Sequence, residues 1–141
     1  MVDNSSMGRI PRICVAVCAA VLAVAGCGAP ESPEHVVRAW SKALNSGDND
    51  AAGALFATNA KFVAGDSIRI LRTREQAVAL NAGFGWCGPI VKLAVNGGDV
   101  TARFALVTRG AAGCDGRGGE RGSVFFQVEH GKIVLFDQVG A

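Results

Sequence analysis

The sequence predicts an α+β domain in which three short helices pack on an antiparallel sheet. Between positions 33 and 82, apolar residues recur at helical spacing behind clear capping residues. Beyond Trp86 they alternate with polar ones in longer runs, and glycine-containing turns separate those runs. Helices first and strands afterwards, rather than the two in alternation, imply helices covering one face of a sheet.

The elements follow in order. Ser32, Pro33 and Glu34 supply an N-cap, a proline at the first helical position and an acid in the first turn. The helix they open runs to about Ser46, where Gly47 can end it. Val36, Val37, Trp40, Ala43 and Leu44 form its apolar stripe, with His35, Arg38, Lys42 and Asn45 largely off it. Asn49 or Asp50 caps a shorter helix over residues 51–57 that presents Leu55 and Phe56. Residues 62–64 and 68–71 read as short strands about Gly65-Asp66. Thr73 and Gln76 make a capping box for a third helix through about Ala82. Residues 90–95 and 100–108 flank the turn Asn96-Gly97-Gly98-Asp99, and 124–129 and 132–139 flank His130-Gly131, giving two hairpins. Residues 109–123, with six glycines and almost no large apolar side chain, read as a mobile loop.

The chain has 141 residues, 50% of them hydrophobic and 18% charged, with a net charge of +2 and a mean hydropathy of +0.29. That length suits one domain, and the composition excludes both a disordered chain and a strongly basic nucleic-acid binder. Much of the apolar excess sits in one uncharged block, residues 13–28. Arg9 and Arg12 precede it, so residues 1–26 read as a secretory signal, for which Met7 is an equally good start. The block is too short to span a bilayer comfortably as a helix, which needs ~20 residues. It ends in Val24-Ala25-Gly26-Cys27, which resembles the bacterial lipobox. The resemblance implies a diacylglyceryl group on the Cys27 thiol and cleavage before that residue. Two or more acyl chains hold a protein stably at a membrane. The expected organisation is a signal peptide (1–26), a lipidated cysteine and short tether (27–32) and a folded domain (33–141). The expected location is the outer face of a bacterial cell membrane. Removing Asp3, Arg9 and Arg12 leaves the mature chain close to neutral, which favours no electrostatic partner class.

Cys14 and Cys18 leave with the signal, which leaves Cys87 and Cys114 as a pair in an oxidising compartment, a disulfide candidate. Centring the first long hairpin on Gly97-Gly98 sets Cys87 opposite a position near residue 108. Cys114 then lies just beyond, at the open end of that hairpin. Two cysteines so far apart do not make a zinc site, and no metal or cofactor is expected.

Three stretches carry a family resemblance. One is Val36-Val37-Arg38-Ala39-Trp40 followed by Asn45-Ser46-Gly47-Asp48 and an Ala-rich second helix. Another is Ala60-Lys61-Phe62 opening the first strand, and the last is Glu129-His130-Gly131-Lys132-Ile133-Val134 turning into the final strand. In order and spacing they resemble the nuclear transport factor 2-like superfamily, including SnoaL-like cyclases and ketosteroid isomerase, over roughly residues 33–139. The resemblance implies a strongly curved antiparallel sheet wrapped around the long helix as a cone with an apolar cavity. Trp40, Phe56, Phe62, Trp86, Phe104 and Phe126 are the cavity candidates, the indoles foremost because a buried N–H seeks a partner.

Catalysis of the isomerase kind uses a carboxylate base with tyrosine and neutral-acid donors, and this chain has no tyrosine. Asp137 is a carboxylate in an otherwise apolar final strand, and simple alternation groups it with Ile133 and Leu135. Asp66, in a turn, is the weaker candidate base. His35 lies on a polar helix face and His130 in a turn, and neither is expected to reach a cavity. No nucleophile elbow, phosphate loop or cofactor fingerprint is present. The function expected is a non-catalytic envelope lipoprotein that binds a small apolar ligand or an envelope protein through its cavity or sheet surface. The alternative is a small enzyme doing proton transfer or dehydration with Asp137 or Asp66 as base. Partners are the membrane through Cys27 and that ligand or protein, with no nucleic acid; a homodimer through the sheet is left open.

Overall fold

The computed structural model describes residues 31–110 and 113–140. The proposed signal sequence with Cys14, Cys18 and Cys27 lies outside them. Helix α1 (Pro33–Asn45) opens on Ser32, whose hydroxyl accepts from the His35 backbone N–H, and buries Val36, Val37, Trp40, Ala43 and Leu44. It lies in the hollow of a curled sheet and touches β3 (Trp86–Cys87), β4 (Ile90–Asn96), β5 (Asp99–Thr108) and β6 (Gly118–Glu129). The remaining elements are α2 (Asn49–Ala54), α3 (Arg74–Ala82), β1 (Phe56–Ala64), β2 (Ser67–Leu71) and β7 (Lys132–Val139).

The sheet runs β2-β1-β7-β6-β5-β3, with β4 also on β5. Every pairing is antiparallel except β1 with β7, which is parallel, so the sheet is mixed rather than wholly antiparallel. The last strand must return between the first strand and its own hairpin partner, and it enters alongside β1 in the same direction.

Two segments differ from the sequence reading. The second helix stops at Ala54 instead of Ala57, with Asp48 as its N-cap. The Leu55 carbonyl accepts from the Ile133 N–H, and that bond draws the chain into the sheet and places Phe56 at the start of β1. Residues 109–123 are not one loop, because β6 begins at Gly118 and pairs through Ser123 with residues 103–107 of β5. Its glycines permit close approach rather than mobility. A Cβ on Gly118 would strike the Leu106 carbonyl oxygen, and one on Gly122 would meet the Leu106 side chain.

The core is a set of rings around Trp40. Phe84, Trp86, Phe104, Phe126 and Phe136 all lie within 6.2 Å of it, centroid to centroid, mostly edge to face. That geometry suits the ring quadrupoles. Trp40 is 0% exposed, and its indole N–H donates to Asn81 Oδ1 at 2.8 Å. The Asn81 amide in turn donates to the Ala77 carbonyl.

Candidate functional site

The rings fill the body of the cone, and of the several surface hollows the most apolar lies at its mouth. A pocket of about 320 Å³ is bounded there by Trp86, Phe104, Leu106, Val124 and Val139, with Ser123 and Gln138 as polar neighbours. This is the small end of the range for ligand sites. Of the aromatic candidates, Trp86 and Phe104 line it. Trp40 and Phe126 do not, because they are sealed into the core at 0% exposure. Phe56 borders a separate hollow beside α2, and Phe62 borders a second depression at the mouth.

The register of the final hairpin decides which chemistry reaches this pocket. From its turn at His130-Gly131 the pairing runs Glu129 to Lys132 and Val128 to Ile133, but then Gln127 to Leu135. Val134 is therefore an extra residue in β7, a bulge that exchanges the two faces beyond it. Without the bulge Asp137 would stand opposite Val124, on the concave face. With it, Gln138 stands there and Asp137 pairs with Phe125 and Val63 on the outer face. Simple alternation along residues 133–137 thus misplaces Asp137: Ile133 and Phe136 both turn inward, three residues apart, and both are fully buried.

Asp66 sits exposed in the β1–β2 turn and does not line the pocket. His35 is exposed beside Glu31, and His130 occupies the far turn with a φ of 50°. Among the described residues no titratable side chain lines the pocket, and no group of three or more His, Cys, Asp or Glu could hold a metal ion. The polar groups on hand are the Gln138 amide and the Ser123 hydroxyl, which can donate or accept a hydrogen bond but cannot act as a base at neutral pH. The sequence reading missed both, together with Leu106 and Val139. A hairpin count could have suggested Ser123 and Gln138, but it needed the bulge.

The mouth is braced from one side. Cys87, on β3 opposite Val107, is bonded to Cys114, with Cα atoms 5.7 Å apart. Next to it, Asn45 clamps Gly88 with both ends of its amide, accepting from the backbone N–H at 2.9 Å and donating to the carbonyl at 3.1 Å. Gly88 has a φ of +139°, and a Cβ there would overlap the Ala105 carbonyl. The kink at Gly88-Pro89 separates β3 from β4, so β5 pairs with both in turn and Trp86 is held over the pocket.

A curled mixed sheet with helices in its hollow and a mouth at one end is a recurrent architecture. The fold is the nuclear transport factor 2-like one. A protein of that description, of unknown function, from Cytophaga hutchinsonii superposes with a TM-score of 0.63 at 17% identity, covering 78% of this chain and 90% of its own. Another from Burkholderia pseudomallei gives 0.61 at 12%, covering 77% and 90%. A protein with a ketosteroid isomerase-like fold from Catenulispora acidiphila, solved in complex with trimethylamine, gives 0.59 at 20%, covering 79% and 88%. No protein-family profile and no curated protein sequence matches the chain.

Proposed function

We propose that this chain is a lipid-anchored envelope protein that binds a small, largely apolar ligand in its mouth pocket and does no chemistry on it. One observation carries the reading: the bulge in β7 presents Gln138 to the pocket and turns Asp137 away from it. Proton abstraction in a site of this shape needs a base within hydrogen-bond reach of the substrate. An amide and a hydroxyl over an apolar floor orient a ligand but supply no base, and apolar burial yields ~25 cal/mol per Å².

The anchoring part rests on the Cys27 lipobox, and the geometry of the fold suits it. A Cβ on Gly131 would come within 3.8 Å of the Glu31 backbone nitrogen, so the chain enters the domain beside the β6–β7 turn. The pocket lies at the other end of those strands, seven or so residues on, roughly 20–25 Å away. Residues 27–30 reach ~14 Å when fully extended. A domain held on that tether keeps its β6–β7 turn toward the bilayer and opens its pocket away from it.

The test has two parts. The intact mass of protein extracted from membranes should correspond to a chain beginning at Cys27 with added acyl groups, and a soluble product beginning elsewhere refutes the anchor. Titration of the mature protein with the neutral fluorophore N-phenylnaphthylamine should show saturable binding that Trp86→Ala weakens about tenfold, or about 1.4 kcal/mol. Asp137→Asn should leave it unchanged. An isomerase or dehydratase turnover abolished by Asp137→Asn, with folding intact, overturns the non-catalytic reading.

A further inference from the structure

The pocket does not end at Gln138. Trp86 and Gln138 also border a second depression of about 410 Å³, and the charged side chain lining it is Arg69. Arg69 sits on β2 opposite Phe62, which is itself opposite the buried Phe136, so it occupies the concave side of the sheet. Among the described residues it has no acidic partner within 4.0 Å, and no carboxylate lines either depression. The last turn of α3 borders the same depression through Ala79, Leu80 and Gly83. Arg69 is solvent-exposed on that side of the sheet, and the forked donors of its guanidinium match an oxyanion.

Resting on the binding function above, we propose that the ligand is a small apolar acid. Its body lies against Trp86 and Phe104, its middle passes Gln138, and its carboxylate or sulfonate meets Arg69. A neutral apolar molecule fills the pocket but leaves Arg69 to water. An anionic one gains a charge-assisted contact with that guanidinium.

Two fluorophores that share an aromatic body separate this proposal from the simpler one. N-phenylnaphthylamine is neutral, and anilinonaphthalene sulfonate carries an anionic group. The mature protein should bind the sulfonate about tenfold more tightly, and Arg69→Gln should remove that preference while leaving the neutral probe unchanged. Arg117→Gln, which alters a cation on a neighbouring depression that also holds Glu120, should leave the preference in place. The thermal midpoints of both variants, measured alongside, exclude a folding defect. Free decanoate should displace the sulfonate, whereas vesicles of phosphatidylglycerol should not. Equal binding of the two probes, an unchanged preference in Arg69→Gln, or displacement by vesicles alone overturns the anionic ligand and leaves the pocket standing. Binding of neither probe overturns both.

Discussion

The Trp40–Asn81 pair offers a sharp test of how the core is held. Both residues are 0% exposed, and the bond between them, indole N–H to amide oxygen at 2.8 Å, joins α1 to α3 across 41 positions of sequence. Asn81→Leu keeps the branched shape in a somewhat bulkier side chain, orphans the indole N–H and removes the bond to the Ala77 carbonyl. An unsatisfied buried donor costs ~1–3 kcal/mol and a typical hydrogen bond contributes ~1 kcal/mol, so a loss of about 2–4 kcal/mol is expected. Trp40→Phe orphans the amide oxygen instead and leaves a void among rings that contact the indole on five sides. That should cost about 2–3 kcal/mol, below the ~3–5 kcal/mol of truncation to alanine. In the double variant neither polar group lacks a partner it once had, so the two costs should not add. A coupling of about 1–2 kcal/mol is expected. Urea denaturation of the four proteins, followed by circular dichroism and by tryptophan emission, measures it. An additive cycle, or an Asn81→Leu variant within ~0.5 kcal/mol of the parent, would refute the view that this bond closes the core.

Three further outcomes follow from the same geometry. Replacing both Cys87 and Cys114 by alanine opens a loop spanning 27 positions and should cost roughly 3.5 kcal/mol in the chain-entropy account, measured as the drop in unfolding free energy. Gly88→Ala should cost at least ~2 kcal/mol, combining a strained φ with overlap on the Ala105 carbonyl, whereas Gly119→Ala, with nothing within 4 Å of the new Cβ, should melt like the parent. On the proposed anchoring, protein acylated at Cys27 and inserted in vesicles doped with spin-labelled phospholipid should keep its Trp40 and Trp86 emission. A tryptophan introduced by His130→Trp should be quenched, and equal quenching in both proteins would contradict the orientation.

Where the determinants are local, the sequence was sufficient. Ser32, Pro33 and Glu34 start α1 where expected, and Thr73 caps α3 by accepting from the Gln76 N–H. The buried stripe of α1 is the one its periodicity marks, because a helix repeats with one period and its caps act within a turn. The turns at Gly97-Gly98 and His130-Gly131 likewise set both long hairpins. The glycine-rich stretch was misread because composition records what a residue permits, while the neighbour that needs it absent is set by strand pairing. Gly118 and Gly122 make room for Leu106 on another strand. Tertiary structure also decided which aromatics fill the cone and which line its mouth, since Trp40 and Trp86 look alike in sequence and differ in what surrounds them. The face on which Asp137 lies depended on one extra residue at Val134. Alternation has a period of two, so a single bulge reverses every assignment beyond it, and that bulge arises from how β7 fits between β6 and β1 at once.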